Sequence, residues 1–244
     1  MLNKIFLKLL NFIISLVDYK NKQKIKKFFK NNLNFDDLTI LDVGAHKGET
    51  IDLFLKNFRI SKIYAFEPNK DLHIKLLKNK IINSKKIELS NYGLGNEEKV
   101  INLNITSDTA SSTFNQIDTE SKYFKRKNNI LSLFSKKKSF IEKTQKTKII
   151  KLSTFLRDKN ISNIDVLKID TEGFEYNVLN GISEEDFAKI KFIYFEHHFD
   201  TMIKKNYKFY DINNILIKNN FKQMYKIRMS FRKSFEYIYK KRNI

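Results

Sequence analysis

Leu41-Asp42-Val43-Gly44-Ala45-His46-Lys47-Gly48-Glu49-Thr50 is the stretch on which the fold turns. The β-branched run Thr39–Val43 reads as a short strand and ends at the first of two glycines, Gly44 and Gly48. Gly44 lets the chain turn out of the strand. Gly48 opens the helix Glu49–Phe58 with no side chain in the way, so a ligand can approach bare backbone amides. The spacing Asp-x-Gly-x-x-x-Gly differs from the G-x-G-x-x-G of a dinucleotide pyrophosphate site. An acid beside the loop opposes a pyrophosphate and suits an ammonium group.

Strand and helix alternate outward from this loop. Lys62–Phe66 is a second strand closed by Glu67-Pro68, and Asn69 is placed to cap a helix over Lys70–Lys80. Lys86–Ser90 is a third strand ending at Asn91-Tyr92-Gly93, and Val100–Ile105 alternates like an antiparallel strand. Residues 106–148 are polar and rich in Ser, Thr and Lys; they read as an insertion or mobile loop bordering the cleft, with room for one short helix. Pattern resumes at Lys148–Leu152, with Ser153-Thr154 capping a short helix that ends near Asn160. Asp165–Ile169 is a buried strand, followed by Asp170-Thr171-Glu172-Gly173 and a helix, Phe174–Asn180, stopped by Gly181. Lys191–Phe195 is the next strand and ends at Glu196-His197-His198. A helix over Tyr207–Asn219 precedes two antiparallel strands, Phe221–Ile227 and Ser234–Tyr239. The expectation is an α/β fold: a mainly parallel sheet, helices on both faces, an antiparallel C-terminal hairpin. Ligands in such sheets sit outside the carboxyl ends of the strands. Five of the six glycines, and Pro68, stand just after a strand.

The chain has 244 residues, 41% hydrophobic and 14% aromatic, which is enough to bury a core and rules out wholesale disorder. No run reaches the ~18 uncharged apolar residues of a membrane span. The absence of Cys removes disulfides, thiolate metal sites and a Cys nucleophile, and makes the cytoplasm the default compartment. Lys and Arg number 47 against 27 Asp and Glu, a net charge of +20. Such an excess favours polyanions, or it reflects compositional drift toward Lys, Asn and Ile.

Residues 1–33 differ from the rest. The polar positions Asn3, Lys4, Lys8, Asn11, Ser15 and Asp18 fall on one stripe of a helix whose remaining face is apolar. The basic stretch Lys20–Lys30 follows. No small-residue cleavage site follows the apolar segment, which argues against a signal peptide. The segment either caps the core or a dimer partner, or lies on an anionic membrane surface through residues 1–30. The membrane contact is the expectation taken forward, with an independently folding domain at 34–244.

Phe66-Glu67-Pro68 supplies the second signal. A carboxylate at the end of the second strand can accept both hydroxyls of a ribose, and Pro68 fixes the turn beneath it. A cationic amino-acid end near the glycine loop and a ribose on Glu67 together describe S-adenosylmethionine. The cofactor candidates are Asp42, Gly44, Ala45, His46, Gly48, Thr50, Glu67, Pro68, Asn91, Gly93 and Asp170.

Asp170 also suits a substrate hydroxyl or a metal. Glu196 and His197 end the next strand, and a His beside a carboxylate is a plausible general base for a hydroxyl. Equally, Asp170, Glu196 and His197 suit a divalent ion that lowers the hydroxyl pKa. A purely structural role is the third reading. Lys168 sits within its strand and pairs with one of the acids, Glu172 lies in the turn, and Glu175 either caps a helix or takes part in chemistry. The catalytic candidates are therefore Asp170, Glu196, His197, Glu172 and Lys168; His198 and His73 read as bystanders.

Val43-Gly44-Ala45-x-x-Gly, Phe66-Glu67-Pro68, Leu167-Lys168-Ile169-Asp170-Thr171-Glu172-Gly173-Phe174-Glu175 and Glu196-His197 resemble the FkbM family of S-adenosylmethionine-dependent methyltransferases. The likeness runs in order from about Thr39 to Tyr239. It implies a class I, Rossmann-like methyltransferase fold with a seven-stranded sheet, and O-methylation of sugar or natural-product hydroxyls. The chain departs from the pattern in its basic segment after Ser107, its apolar N-terminal helix, and the bulky His46-Lys47 in the glycine loop.

An O-methyltransferase acting on a glycan or glycolipid hydroxyl is the leading reading. A nucleic-acid methyltransferase is the alternative suggested by the charge. Ile-Asp-Thr-Glu-Gly at the fourth strand end argues against it, because amino methyltransferases grip a base with Asn/Asp-Pro-Pro-Tyr/Phe. A nicotinamide oxidoreductase lacks its third glycine, and a non-catalytic membrane adaptor completes the set. The oligomeric state is not written in the sequence.

Overall fold

The computed structural model describes residues 19–33, 36–79, 82, 84–107, 111–132, 140–229 and 232–242. The apolar stripe expected over residues 3–18 lies outside them. The elements follow in order as α1 (residues 19–32), β1 (Leu38–Val43), α2 (Glu49–Asn57), β2 (Ile60–Phe66), α3 (Lys70–Leu77), β3 (Ile87–Ser90), β4 (Gly93–Leu94), β5 (Lys99–Thr106) and α4 (Lys122–Ser132). They continue with β6 (Ile141–Ile150), α5 (Leu152–Asp158), β7 (Ile164–Ile169), α6 (Glu175–Asn180), α7 (Glu184–Ala188), β8 (Ile190–His198), α8 (Phe209–Lys218), β9 (Phe221–Arg228) and β10 (Ser234–Lys241).

Seven strands form one sheet in the order β3-β2-β1-β7-β8-β10-β9. The first five are parallel, and β10 runs antiparallel to both β8 and β9. Strand alternation divides the core into two layers. Leu41, Val43, Leu167, Ile169 and Phe195 pack with α5, α6 and α8, whereas Ile40, Val166, Phe192 and Tyr194 pack with α1, α2 and α3. Asn69 caps α3 as expected, accepting the N–H groups of Asp71 and Leu72.

Three features depart from the expectations. Residues 106–148 contain, besides the helix allowed for there (α4), most of β6, an unexpected strand that pairs with β5 and β4 in a second, three-stranded sheet. The helix after β6 is capped at Lys151, not at Ser153-Thr154. Gly181 ends α6 with φ −85°, so no left-handed turn requires it. It is needed for approach: a Cβ there would lie 2.0 Å from the carbonyl oxygen of Gly95.

The boundary drawn at residue 34 also needs correction, because it cuts through a continuous core. Ile25, Phe29 and Leu33 of the N-terminal segment are 2%, 0% and 7% exposed. The Phe29 ring lies 5.4 Å from that of Phe54 and 6.0 Å from those of Phe192 and Tyr194. Lys20, Lys24, Lys27 and Lys30 occupy the exposed side of the same helix, whereas Lys22 lies toward the cleft. Among the described residues no helix is long and apolar enough to cross a membrane.

Candidate functional site

The carboxyl ends of β1, β2, β7 and β8 open onto a cleft of about 390 Å³. That size falls within the roughly 300–1,000 Å³ of small-molecule sites. Gly44 and Gly48 take φ 86° and 84°, and His46 between them takes φ 49°, so the loop winds through three left-handed residues. A Cβ on Gly44 would sit 1.9 Å from the Asp170 carbonyl oxygen, so only glycine lets the β1 loop lie against the β7 loop. His46 pays about 1 kcal/mol for its backbone conformation. Its N–H donates to Glu67 Oε2 at 2.7 Å, which offsets that strain.

Glu67 is 4% exposed. Its other oxygen accepts the Asn69 N–H at 2.8 Å. Burial pushes its carboxyl up to about 7, against the pull of these two backbone donors. A carboxylate has about four acceptor positions, so two remain for a ligand. Asn91 supports this turn from behind, donating from Nδ2 to the carbonyls of Glu67 at 2.9 Å and Pro68 at 3.3 Å. Ala45, His46, Thr50, Pro68, Gly93 and Asp170 line the cleft.

Asp42 and Lys168 face each other in the β1–β7 register. The Lys168 ammonium lies 3.3 Å from Asp42 and 3.4 Å from Asp170, and donates to the Gly44 carbonyl at 3.0 Å. Burial opposes its charge, but the two aspartates outweigh burial and hold its pKa above the ordinary lysine value. Burial raises Asp42 to about 6, with Lys168 pulling the other way. Lys168 is therefore a pin that joins the glycine loop to Asp170, rather than a group placed at reacting atoms.

Strand parity corrects the pairing of Glu196 with His197. Along β8, Tyr194, Glu196 and His198 fall on one face and Phe195 and His197 on the other. His197 packs among Phe199, Tyr207 and Phe209, with ring centroids 4.7, 5.9 and 5.6 Å away. Burial and the nearby Lys205 push it down to about 3, so it stays neutral. The triple Asp170, Glu196 and His197, considered as a metal set, is thus not assembled. Among the described residues no group of three or more His, Asp or Glu is arranged to hold a metal ion.

His198 takes the place expected for His197. Its Nε2 lies 3.4 Å from Glu172 and 3.5 Å from Glu196, and its Nδ1 lies 3.5 Å from Asp200. Burial disfavours its cation, but these carboxylates win and raise its pKa. Burial, with neighbouring acids, raises both Glu172 and Glu196 above the usual carboxylate range. Glu172, Glu196 and Asp170 all reach the cleft.

Glu175 is structural. It is fully buried; one oxygen accepts from the N–H groups of Thr171 and Gly173, and the other accepts from the Tyr207 hydroxyl.

Further groups in the cleft were missed in the sequence. Glu236 pairs in register with Glu196 across β10 and β8, and it accepts the Tyr194 hydroxyl at 2.5 Å. Burial raises it to about 7. Asn21, Lys22 and Ile25 of α1 form one wall, and Ser112 and Phe114 another. Period-two reading of β8 through His198 would have found His198; Ser112 and Phe114 fall in the stretch expected to border the cleft, whereas nothing local in the sequence places α1 there.

The sequence matches the methyltransferase FkbM domain over residues 42–224. No curated protein matches it. Methyltransferase FkbM from Methylobacillus flagellatus KT has a similar structure, with TM-score 0.51 and 12% identity, covering 86% of this chain and 45% of that one. The chain thus spans under half the length of that protein. Magnesium protoporphyrin IX methyltransferase (ChlM) from Synechocystis PCC 6803, with bound SAH, gives TM-score 0.51 at 10% identity, covering 94% and 85%. A protein in the NADB-Rossmann superfamily from Streptococcus agalactiae gives 0.50 at 16%, covering 92% and 70%. At such identities the likeness is one of fold, and it is the class I methyltransferase fold. The family match itself spans the glycine loop, Glu67 and the acidic ends of β7 and β8, and the chain belongs to the FkbM methyltransferase family.

Proposed function

We propose that this methyltransferase uses S-adenosylmethionine to methylate a hydroxyl of a sugar, glycan or glycolipid. One observation carries the acceptor class. The chain has a net charge of +20, yet six carboxylates line the cleft (Glu49, Glu67, Asp170, Glu172, Glu196 and Glu236) against Lys22, Lys47, Lys168 and Arg232. Burial raises four of these six acids above the usual carboxylate range, so the cleft combines protonated and ionised carboxyls rather than a strong negative field. Such carboxyls accept hydrogen bonds from hydroxyls, which are what a sugar presents.

The residues fit the cofactor. The Gly44–Lys47 backbone forms one edge of the cleft, its amides held by Phe66, Glu67 and Glu49 so that the loop keeps its shape, Asp170 offers a carboxylate to an ammonium group, and Glu67 keeps acceptor positions for a ribose. When bound, the cofactor supplies a methyl group already activated on a sulfonium. The protein must then position the acceptor and remove its proton. Glu172 and Glu196 are the proton acceptors in this reading. Their raised pKa values bring them toward neutrality, where a general base is most effective. His198 holds the two carboxylates in place as an imidazolium. Asp200 orients it from the other side.

A glycolipid acceptor would place the enzyme at the cytoplasmic membrane face, with the lysine side of α1 and residues 1–30 against anionic lipid. The test has two parts. Calorimetric titration is expected to give S-adenosylmethionine binding without NAD binding. Methyl transfer is then measured against free and lipid-linked saccharides and against RNA and DNA. Transfer to saccharides supports the reading; transfer to nucleic acid alone overturns it.

A further inference from the structure

A second pocket adjoins the first, beside strand β5 of the three-stranded sheet. It measures about 380 Å³ and is lined by Asn96, Asn102, Asn104, Gln116, Asn177 and the rings of Phe114 and Phe174. The two rings lie 5.1 Å apart, tilted at 53°. Glu97 and Lys99 stand at the same pocket and form an ion pair with each other. The site therefore has internally balanced charge and is dominated by amides and aromatic faces.

Asn102 and Gln116 offer donors and an acceptor, matching a hydroxyl, which also does both, while Asn104 and the Asn96–Asn177 pair are partly bonded within the protein. An aromatic ring offers an apolar face to the C–H side of a sugar ring. With its charge balanced, the pocket has no net cation for a phosphate or a lipid head group. The chemistry selects an uncharged, polyhydroxylated ligand.

Position links this pocket to the cleft. Phe114 lines both cavities. The strip carrying it is fastened to the acidic loop after β7: the Thr113 hydroxyl donates to the Glu172 carbonyl at 2.7 Å, and Asn115 Nδ2 donates to the Gly173 carbonyl at 2.5 Å. The wall between the two cavities is thus held to the loop that bears Glu172.

We propose that this second pocket is a saccharide subsite, which holds a sugar unit of the acceptor next to the one that enters the cleft. This rests on the saccharide reading above and adds to it that the acceptor is an oligosaccharide or longer glycan.

The test uses the full chain with glucose, galactose, rhamnose and N-acetylglucosamine and their di- and trisaccharides. Saturation-transfer NMR reads binding, and methyl transfer reads KM. Asn102 and Gln116 are exposed, so the double substitution Asn102→Ala/Gln116→Ala is compatible with folding, checked by a melting curve. For at least one sugar series, KM falls from mono- to trisaccharide in the wild type. The double variant loses that gain, a change of roughly five- to tenfold for two lost hydrogen bonds. If saccharides are methylated with no dependence on chain length, or if the variant keeps the gain, the subsite is wrong and the saccharide reading stands. If no saccharide binds or is methylated, the saccharide reading falls and takes the subsite with it.

Discussion

The backbone N–H of His46 donates to the Glu67 carboxylate at 2.7 Å, tying the acid that closes β2 to the glycine loop that closes β1. The two motifs that suggested a cofactor are one hydrogen-bonded unit. Moving either displaces both.

Glu67→Ala is therefore expected to weaken S-adenosylmethionine binding by roughly 10–100-fold, the cost of about 1.5–3 kcal/mol for charged hydrogen bonds. The effect also has a pH signature. Glu67 titrates at about 7 in the free protein, and only its ionised form can accept two hydroxyls fully. Affinity rises with pH through that value and levels off above it, and Glu67→Gln flattens the curve. The raised value has an opposite consequence for folding. Glu67 favours the fold most below its ordinary carboxylate pKa, and that contribution fades as pH climbs through about 7. Calorimetry and thermal melts across pH 5–9 measure both.

Lys168→Met is expected to destabilise the protein by about 3–5 kcal/mol, because it strands the buried Asp42 charge. Asp42→Asn/Lys168→Met recovers much of the loss. Denaturant titration of Lys168→Met, Asp42→Asn and the double variant checks the coupling. Equal destabilisation by single and double variants would show that the pair is not the cause.

Glu172→Gln and Glu196→Gln are expected to lower kcat by roughly 10²–10⁴-fold if either takes the proton in the rate-limiting step. His197→Phe changes kcat by only a few fold, since its ring packs away from the cleft. Wild-type activity rises with pH as the raised carboxyls ionise. Loss of that rise in one Gln variant identifies the base.

The strand ends were legible because glycine and proline are scarce in this chain: six Gly and one Pro in 244 residues. Against Lys, Asn and Ile they mark where the backbone must turn sharply. β6 was not legible. Its outward residues Glu142, Lys143, Lys146 and Lys148 face solvent, and a strand on a small sheet with one wet face carries few apolar positions. His197 was placed wrongly for a different reason. The strand was expected to stop at Phe195, but it runs to His198, so alternation puts Glu196 at the cleft with His198 on the same face beside it, and His197 across the sheet. The helix read over residues 3–18 lies outside the described residues; the basic stretch after it is α1, which buries Ile25 and Phe29 in the core and exposes Lys20, Lys24 and Lys27.

Deleting residues 1–33 is accordingly expected to destabilise the domain by several kcal/mol, because each large core side chain contributes about 1.5–3 kcal/mol of burial. The full chain is expected to float with vesicles of anionic lipid and to stay behind with neutral ones. Replacing Lys20, Lys24 and Lys27 by Gln reduces flotation without lowering the melting temperature. A full chain that ignores anionic vesicles ends the membrane proposal and leaves the core role intact.

The most direct test of the account is to follow the methyl group itself. The full chain is incubated with S-adenosylmethionine carrying a ¹³C-labelled methyl and with the saccharide panel, and the products are read by NMR. The account predicts that the label appears as an O-methyl ether on a sugar hydroxyl, and that Glu172→Gln or Glu196→Gln suppresses it. Label on a nitrogen or carbon of some other acceptor, with none on any saccharide, would contradict it.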